Sequence, residues 1–509
     1  MGEARSTRAL AALVFGAGTG SLATEISASR LLAPYFGSST IVWANLIGIV
    51  LAALAAGYWL GGRLADRRPE PRLLGAIVTA AAVYVAALPF LARPLLDLTV
   101  RGVDQVSAGA VIGSFFAVVA LFAPAVVLLG AVAPFAIRLA LTDITRGGEV
   151  AGRFYALSTA GSLLGTFVPA LVTIPLVGTQ RTLLGTAVVL ALSGSLLLGR
   201  RGLALAAVLA ALVALPPGAV KASAGLLHEE ESRYQYLQVV ERSDGARRLY
   251  LNEGVAAHSV WRSSTVLTGG EWDMFLAVPE LLGRPVRRIA ILGNAGGTTA
   301  RALRRFYPGA TIDAVELDPA VTRVARRYFG LREGPRLYVH TADARPFLRR
   351  TRERFDLIFV DAYRQPYVPF YLATREFFRL ARERLRPGGI VALNVATVPG
   401  DEALVNGIAG TLRAELPQVE VWPALRYSRL VVGLSRPASR RELGRRLAGG
   451  PAPLAVLRGL LAAQMRPAAR AERPWTDDRA PVEWVTDRMI VAYAARGGGL
   501  DEHLLPTAP

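Results

Sequence analysis

Six long apolar runs before residue 220 constrain this chain more than any other feature of its sequence. The runs cover 9–33, 39–60, 73–92, 108–129, 153–177 and 183–199. Each approaches or exceeds the roughly 20 residues that cross a bilayer as an α-helix, and the core of a soluble domain does not need such a succession. Residues 1–220 are therefore predicted to form an α-helical transmembrane bundle. A seventh run, 203–215, has only 13 residues before two prolines, so six and seven spans both stay open.

Arginines beside these runs predict how the bundle is oriented. Basic residues precede the first run and follow the second, fourth and sixth, and such residues collect on the cytoplasmic side. They are Arg5, Arg8, Arg63, Arg67, Arg68, Arg72, Arg138, Arg146, Arg200 and Arg201. The amino terminus is therefore predicted to be cytoplasmic in the cell membrane. With six spans the carboxy-terminal half is cytoplasmic as well, and with seven it lies outside.

Two charged residues, Glu25 and Arg30, fall within the first run. A charge at the bilayer centre costs about 2.5–3.5 kcal/mol on insertion scales, so such residues are usually paired or functional. In one interpretation Arg30 reaches the interface and a neighbouring helix satisfies Glu25. In the other, the pair serves transport or gating.

The basic charge of the chain does not indicate nucleic-acid binding. The net charge is +19, but Lys221 is the only lysine and the arginines are scattered rather than gathered on one surface. Cysteine is absent, which excludes thiolate metal sites and cysteine nucleophiles. The four histidines, His228, His258, His340 and His503, lack the spacing of metal ligands. We therefore predict no metal and no nucleic-acid partner.

From residue 225 onward, strand and helix patterns alternate. Runs at 234–241 and 248–251 flank Ser243, Asp244, Gly245 and Ala246 and predict a β-hairpin. Strands are then predicted at 288–292, 311–316, 336–340, 355–360 and 390–395, with helices between them. This rhythm indicates an α/β fold with a parallel, doubly wound sheet. We assign 225–509 to this domain, with the hairpin at 230–255, a Rossmann-like core at 285–435 and an extension at 436–509, of which 436–475 is interpreted as a helical excursion or loop.

Polar residues follow four consecutive strands of the predicted core. Gly293, Ala295, Gly296 and Gly297 belong to a loop between a strand and a helix, where glycines let a ligand approach the backbone. Glu316, Asp343 and Asp361 end the next three strands. Because the carboxyl ends of parallel strands share one edge, these residues predict a nucleotide-binding crevice. In the alternative interpretation the acids only cap the following helices. A nicotinamide site is also conceivable, although the loop departs from the dinucleotide pattern.

Residues 230–400 resemble the spermidine synthase family, the polyamine aminopropyltransferases, which have a class I methyltransferase-like fold. The resemblance rests on Tyr234 and Gln235, the Gly293 loop, 315–318, Asp343 with Ala344, and 355–361. The run 476–483 resembles a tail motif of the membrane-fused variety, whose multi-span amino-terminal half this chain also resembles.

The resemblance implies a role for each matching residue. Gln235 and Glu316 would hold the adenosyl part of the donor, decarboxylated S-adenosylmethionine or S-adenosylmethionine itself, which is a co-substrate and not a prosthetic group. Asp343 and Ala344 would lie at its adenine. Asp361 would take the proton of the attacking amine.

The sequence also departs from the family at its acceptor site. Gly296 stands where the family has an acid in the glycine loop, and Arg364 stands where it has a second acid after the catalytic one. The segment Glu271, Trp272, Asp273 takes the place of a Tyr-His-Glu segment. Arg364 would repel a diamine and suggests a carboxylate on the donor or acceptor. In the alternative interpretation it is a surface arginine of a mobile loop. The aromatic run 367–371 is expected either to form a lid or to pack beneath the site.

These observations predict a membrane-bound enzyme that transfers an aminopropyl group to a small amine; putrescine, the acceptor in the family, is doubtful here. Two alternatives stay open: a sensor or transporter that binds a nucleotide or polyamine without turnover, and an S-adenosylmethionine-dependent methyltransferase. The expected partners are the amine and the lipid bilayer, and a homo-oligomer is left open.

Overall fold

The chain forms two compact units. The structure, a computed structural model, describes residues 2–36, 40–103, 109–215, 221, 223–252, 256–363, 367–423, 425–468 and 473–496. Unit 1 comprises Met1–Ala222 and Glu229–Tyr236, and unit 2 comprises Ser223–His228 and Leu237–Pro509. The sequence placed all of 225–509 in the second domain, whereas the segment 229–236 groups with unit 1.

Unit 1 is helical. Its helices are α1 (Gly2–Phe36), α2 (Thr40–Arg67), α3 (Pro71–Val103), α4 (Gly109–Leu121), α5 (Ala123–Gly130), α6 (Val132–Ala140), α7 (Gly147–Val168), α8 (Ile174–Leu198) and α9 (Arg200–Val213). A 3-10 turn (Ile144–Arg146) precedes α7, and a π-helical turn (Pro169–Thr173) joins α7 to α8.

Five helical stretches within the described residues are long and apolar enough to cross a membrane. They are Thr7–Phe36, Ile41–Arg67, Pro71–Thr99, Ala123–Ala140 and Ile144–Leu198. The sequence predicted six because it separates the last stretch into two runs, 153–177 and 183–199. In the structure the helix is kinked between these runs at Gly178, whose φ is +83°. The fourth run, 108–129, is divided between α4 and α5. The marginal seventh run forms α9, which has only 14 residues.

Helices α1 and α7 approach each other at backbone distance. A Cβ atom added at Gly161 would lie 2.2 Å from the carbonyl oxygen of Phe15, and one at Gly165 would lie 2.2 Å from that of Thr19. Small residues allow this contact, which is typical of helix pairs that pack within a bilayer.

Two polar side chains hold the segment 229–236 against the helices of unit 1, to which it belongs. The Arg30 guanidinium donates hydrogen bonds to the carbonyl oxygens of Ser232 (3.4 Å) and Arg233 (2.7 Å). The buried Glu231 carboxylate accepts hydrogen bonds from the backbone N–H (2.6 Å) and hydroxyl (2.9 Å) of Thr179, directly after the kink. Arg30 therefore anchors the turn at Ser232 and Arg233.

The second half of the chain forms two sheets, of which the large one lies wholly in unit 2. A small sheet has the order β1 (Leu226–Glu231), β2 (Tyr236–Glu241), β3 (Arg247–Leu251), β4 (Ala257–Trp261), and β2 and β3 form the expected hairpin. The large sheet contains β5 (Arg288–Leu292), β6 (Thr311–Glu316), β7 (Leu337–Thr341), β8 (Phe355–Val360), β9 (Leu385–Ala396), β10 (Gln418–Trp422), β11 (Ser428–Leu434) and β12 (Arg466–Pro467). Its order is β12-β10-β11-β9-β8-β5-β6-β7.

Strands β5 to β9 are parallel, and β10, β11 and β12 pair antiparallel at one end of the large sheet. Every residue of β8 is buried, as is typical of a parallel strand covered on both faces. Its alternate residues join two separate apolar clusters, with Leu357 and Phe359 in one and Ile358 and Val360 in the other. Helices thus cover both faces, and the sheet is doubly wound.

The helices of unit 2 are α10 (Glu271–Met274), α11 (Thr298–Phe306), α12 (Pro319–Tyr328), α13 (Ala344–Arg350), α14 (Arg375–Arg384), α15 (Ala403–Arg413), α16 (Arg440–Leu447), α17 (Ala455–Gln464) and α18 (Val482–Ala494). A 3-10 segment (Phe275–Leu282) continues α10. The excursion at 436–475 contains α16 and α17, whose Leu443, Leu447, Leu457 and Leu461 join one core cluster. It is therefore part of the domain core.

Candidate functional site

The four sequence-predicted strand ends meet at one edge of the large sheet. The backbone N–H groups of Gly293 and Asn294 donate to the carbonyl oxygen of Val315 at 3.0 Å each, which joins the end of β5 to β6. The N–H of Asp361 donates to Leu292 at 2.8 Å, which joins the end of β8 to β5. The N–H of Ala342 donates to the carbonyl oxygen of Glu316 at 3.0 Å. The glycine loop therefore lies between Glu316 and Asp361 in space.

Gly293 is the point of closest approach between the glycine loop and the Asp361 loop. Its φ is +94°, and a Cβ atom added there would lie 2.5 Å from the carbonyl oxygen of Asp361 and 2.6 Å from the Cα of Ala362. Both its conformation and the space around it require glycine.

Gly296 faces strand β4. Its N–H donates a 2.7 Å hydrogen bond to the Ser259 hydroxyl, and a Cβ atom at Gly296 would lie 2.7 Å from the Cβ of Ser259. Ser259 therefore fills the space next to the loop position where an acid was expected. An aspartate at 296 would not fit without displacement of β4.

Glu316 holds the glycine loop through its carboxylate. One carboxylate oxygen accepts the N–H of Ala295 at 2.8 Å, and the other accepts the N–H of Asp318 at 3.0 Å. Ala295 adopts a left-handed conformation, with φ of +44°. Burial raises the pKa of Glu316 to about 7, although the N–H groups of Asp318 and Ala295 oppose this shift. A carboxylate has about four lone-pair sites, so Glu316 keeps acceptor capacity for a ligand hydroxyl.

Asp343 lies at the start of α13 and has two partners. It caps the helix by accepting the N–H of Arg345 at 3.0 Å, and it accepts the Tyr371 hydroxyl at 2.8 Å. A cavity of about 330 Å³ lies here, lined by Asp343, Arg345, Pro346, Arg349, Tyr371 and Asp477. Ala344 is buried directly behind Asp343. A larger groove of about 830 Å³, lined in part by Arg284 and Gly309, lies at the opposite edge of the sheet, far from these acids.

Asp361 is the acid with the most strongly perturbed environment at this edge. Protein surrounds its carboxylate although part of the residue is exposed in the crevice, and this desolvation raises its pKa to about 8. The amide of Asn394 in β9 donates a hydrogen bond of 3.0 Å to it, which lowers the pKa, whereas the charge of Glu271 raises the pKa. Such a carboxyl group exchanges its proton near neutral pH, as a general base requires.

Residues 271–422 match the family of spermine/spermidine synthase domains. The matched range contains the glycine loop, Glu316, Asp343, Asp361 and Asn394. The stretch 271–422 is therefore similar to spermine/spermidine synthase domains, and for this similarity we term it the synthase domain and its crevice the synthase site. The match does not include residues 1–220 or the tail motif at 476–483.

Curated proteins similar to this chain include polyamine aminopropyltransferases and an eEF1A lysine and N-terminal methyltransferase of Bos taurus. Over 205 residues the chain is 35% identical to a probable polyamine aminopropyl transferase of Bifidobacterium longum, across 38% of this chain and 45% of the relative. It is 32% identical over 180 residues to a polyamine aminopropyltransferase of Vibrio vulnificus, across 33% of this chain and 58% of the relative. The chain thus spans about half the length of the curated relatives it matches.

Among solved structures, a probable spermidine synthase from Corynebacterium glutamicum is similar with a TM-score of 0.40 and 18% identity, over 57% of this chain and all of that chain.

One of the three acids at the synthase site caps a helix, as the alternative interpretation expected, and within the described residues the other two do not. Asp343 does cap α13, and Asp318 rather than Glu316 caps α12. Asp361 caps no helix in the described part of the chain, because β8 is followed by a loop. Its contact with Asn394 is a side-chain contact within the crevice.

For two residues that the sequence predicted to bind substrate, the structure gives no position beside Glu316 and Asp361. Gln235 lies in the turn between β1 and β2, where the Ser232 hydroxyl accepts its N–H at 3.0 Å and donates to its carbonyl oxygen at 3.0 Å; it groups with unit 1, so its role at the donor stays a prediction. Arg364 lies outside the described residues, and its role stays a prediction as well.

Several residues of the synthase site escaped the sequence reasoning. Asn394 also ends a parallel strand, so the rule that found the acids could have found it. Tyr363 donates its hydroxyl to the carbonyl oxygen of Asn394 at 2.9 Å and accepts the N–H of Ala396 at 2.8 Å, which braces the Asp361 loop against β9. In the aromatic run, Tyr371 bonds to Asp343 and Tyr367 bonds to Asp487, so both tyrosines pack into the domain.

Within the described residues, no group of three or more His, Asp or Glu side chains could hold a metal ion.

Proposed function

We propose that this protein transfers an aminopropyl group from decarboxylated S-adenosylmethionine to an amine acceptor. The observation that carries the proposal is the Asp361 carboxyl group, with a pKa of about 8, one loop away from Glu316 in a spermine/spermidine synthase domain. The acceptor is an amine, and we propose that the charged groups around Asp361 determine which amine binds.

The chemistry needs a base of this kind. The acceptor nitrogen forms a bond to the propyl carbon beside the sulfonium, the carbon–sulfur bond breaks, and its electron pair remains on sulfur to give methylthioadenosine. The nitrogen attacks only when it is unprotonated, and an alkyl amine has a pKa of roughly 10. The Asp361 carboxylate accepts the proton released at nitrogen. Holding both substrates at one sheet edge supplies much of the remaining rate enhancement.

The donor is proposed to lie along the edge from Glu316 to Asp343. Ribose hydroxyls would donate to the free lone pairs of Glu316, which already positions the glycine loop through Ala295. The adenine would lie by Asp343 and Ala344, next to the cavity that Tyr371 borders. Because Ser259 occupies the space beside Gly296, the amino group of the donor finds no loop acid there.

Unit 1 is proposed to be embedded in the cell membrane with the amino terminus in the cytoplasm. The kink at Gly178 divides the longest helical stretch, Ile144–Leu198, into 144–177 and 179–198, and each part has at least the roughly 20 residues that one crossing needs. Together with α1, α2, α3 and the stretch Ala123–Ala140, this gives six crossings. Unit 2 would then face the cytoplasm, where the donor is made.

The activity is tested with the purified full chain, decarboxylated S-adenosylmethionine and a panel of amines, with mass-spectrometric detection of products. We expect methylthioadenosine and an aminopropylated amine, and we expect Asp361→Asn to abolish both. Asp478→Asn, an exposed aspartate in the tail motif, is the matched control and should retain activity.

The same assay separates the alternatives. Formation of S-adenosylhomocysteine from S-adenosylmethionine would indicate a methyltransferase instead. Binding of adenosyl compounds without any product would indicate a sensor or transporter.

Sidedness is tested by cysteine labelling. The sequence has no cysteine, so one introduced at exposed Glu70, after α2, or at exposed Arg242, in the hairpin, is the only thiol. In intact cells both are expected to resist an impermeant maleimide and to react after lysis. Labelling of Arg242→Cys in intact cells would separate the domain from its donor and contradict the proposal.

A further inference from the structure

The chain after Asp361 is held by three tyrosines that stand four positions apart. The hydroxyl of Tyr363 binds β9, and that of Tyr371 binds the acid that caps α13. The middle one, Tyr367, is only 6% exposed and donates its hydroxyl to the carboxylate of Asp487 in α18. Two of the three anchors thus lie in the synthase domain, and the third lies in the last described helix of the chain.

Helix α18 presents Asp487 from a fixed position. Its buried face belongs to one apolar cluster with the end of β8 and with residues 367–372, which we call the Tyr367 segment. The members of this cluster from the three elements are Val482, Val485, Met489 and Tyr493 of α18, Val360 of β8, and Val368 and Leu372. Because Val360 directly precedes Asp361, α18 and the Tyr367 segment pack together with the strand end that carries Asp361.

The chain just before α18 binds the residues that follow the Tyr367 segment. The carbonyl oxygen of Trp475 accepts the N–H of Arg375 at 2.8 Å, and the Asp477 carboxylate accepts the Thr374 hydroxyl at 2.7 Å. These acceptors lie outside the range that matches spermine/spermidine synthase domains. The carboxy-terminal part of this chain therefore supports a piece of the synthase domain from outside the matched range.

Asp487 is half-buried where it meets Tyr367. Burial raises the pKa of Asp487, the hydrogen bond from Tyr367 lowers it, and the charge of Glu483 raises it. A buried hydroxyl needs its acceptor, because an unsatisfied polar group in apolar surroundings is unfavourable. Removing the carboxylate should therefore displace the Tyr367 ring and loosen the segment that carries it.

We propose that Asp487 is a positioning residue that, through Tyr367, fixes the Tyr367 segment and with it the Asp361 end of the crevice. The proposal rests on the proposed aminopropyl transfer. Asp487 acts through another side chain and not on the reacting atoms. Because Tyr371 keeps its own anchor on α13, the donor end of the crevice should be unaffected.

The kinetic test compares the full-length wild type with Asp487→Ala and Tyr367→Phe, using the donor and the amine that gives the most methylthioadenosine. We expect each substitution to lower kcat/KM for the amine about tenfold, while KM for the donor stays unchanged. The double variant should be no worse than either single one, since both remove the same hydrogen bond. Asp487→Asn should restore most of the activity, because its amide oxygen still accepts the Tyr367 hydroxyl.

Asp478→Ala is the matched control, since it removes an exposed carboxylate shortly before α18 and leaves the Tyr367 contact in place. It should keep the kcat/KM of the wild type.

Amide hydrogen exchange gives a readout that needs no activity. Exchange in the Tyr367 segment should be about tenfold faster in Asp487→Ala and in Tyr367→Phe than in the wild type, and unchanged in α13. Tyr367→Phe keeps α18 intact, so it remains informative if Asp487→Ala folds poorly.

The outcomes separate the two proposals. A wild-type chain that forms no methylthioadenosine with any amine overturns the proposed function and this inference with it. An active wild type whose kcat/KM for the amine is unchanged in Asp487→Ala and Tyr367→Phe overturns only the role of Asp487. The same holds if Asp487→Asn is as poor as Asp487→Ala, or if exchange in the Tyr367 segment does not change.

Discussion

The amide of Asn394 donates a 3.0 Å hydrogen bond to the carboxylate of Asp361, although the two residues are 33 positions apart. Strands β8 and β9 are parallel neighbours, so their carboxyl ends bring the two side chains together. Asn394 is 7% exposed, and Tyr363 holds its backbone. The amide therefore stabilises the ionised form of Asp361, whose pKa burial otherwise raises to about 8.

Replacing Asn394 by alanine should make Asp361 harder to ionise. Loss of the hydrogen bond raises the pKa of Asp361 further, by about one unit, so the rate near pH 7 falls about tenfold. The measurement is the pH profile of kcat/KM, whose acidic limb moves to higher pH. Asn406→Ala, at an exposed position of α15, is the control, and an unchanged limb in Asn394→Ala would contradict this role.

Asp361→Asn should stabilise the protein while abolishing its activity. In the folded chain the pKa of Asp361 is about 8, against 3.8 for an ordinary aspartate. The folded state therefore binds an extra proton between these values, and this group makes the protein less stable as pH rises from about 4 to about 8. Asparagine removes this penalty, which predicts a gain of about 1–2 kcal/mol at pH 8.

Thermal melting of wild type and Asp361→Asn at several pH values tests this prediction. The Tm difference should be largest near pH 8 and disappear near pH 4. A variant that melts below the wild type at pH 8 would show that the carboxylate stabilises the fold.

Donor binding should depend on the ionisation of Glu316. Its pKa is about 7, and only the carboxylate accepts hydrogen bonds from ribose hydroxyls with both oxygens. Calorimetry with methylthioadenosine, which is uncharged, should therefore show a Kd that rises as pH falls below 7, by up to about tenfold per unit. Glu316→Gln should bind more weakly at pH 8 and lose this dependence. A Kd that is constant from pH 6 to 8.5 in the wild type would exclude the contact.

Gly293→Ala should lower kcat/KM more than the same substitution at another glycine with a left-handed conformation. Gly388, with φ of +75° and no atom within 4 Å of an added Cβ, is the matched control because it tests backbone strain without a clash. Gly388→Ala should lose about 1 kcal/mol of stability and keep its substrate KM values. Gly293→Ala also pushes on the Asp361 backbone, so kcat/KM should fall at least about tenfold. Equal effects of the two substitutions on activity would contradict the close approach.

Strand positions in the synthase domain followed from the sequence because their signal is local. Arg288–Leu292, Thr311–Glu316 and Phe355–Val360 are apolar runs bounded by turn residues, and they form β5, β6 and β8 at the ranges predicted. The rule that parallel strands share an edge places Glu316, Asp343 and Asp361 at the same end of neighbouring strands, and the strands do pair in this order. β9 is longer than predicted, since it continues through Pro387 and two glycines to Leu385.

Features that depend on contacts between distant segments did not follow from the sequence. Ser259 fills the space beside Gly296 only because β4 packs on the glycine loop. Phe275, directly after α10, meets Phe359 of β8 with ring centroids 4.7 Å apart, although the two residues are distant in the sequence. In unit 1, hydropathy separates two runs at 153–177 and 183–199 but does not predict the π-helical turn Pro169–Thr173 inside the first run.

The tail motif should act on donor binding through Arg345. Asp477 and Arg345, 132 residues apart, pair through two hydrogen bonds of 2.7 and 2.6 Å, and Asp477 also accepts the Thr374 hydroxyl at 2.7 Å. Asp343, which the Arg345 N–H contacts, borders the same cavity. Loss of the pair should therefore loosen the proposed adenine end of the crevice.

Asp477→Asn and Arg345→Met are each expected to raise the donor KM about three- to tenfold with little change in kcat, because Asp477 is partly exposed and water screens the pair. The double variant should be no worse than either single one, so a double-mutant cycle should give a coupling of about 0.5–1.5 kcal/mol. Asp478→Asn, at the next position, leaves Arg345 paired and should keep the wild-type KM. Additive effects of the two substitutions would mean that the tail motif reaches the donor site by another route.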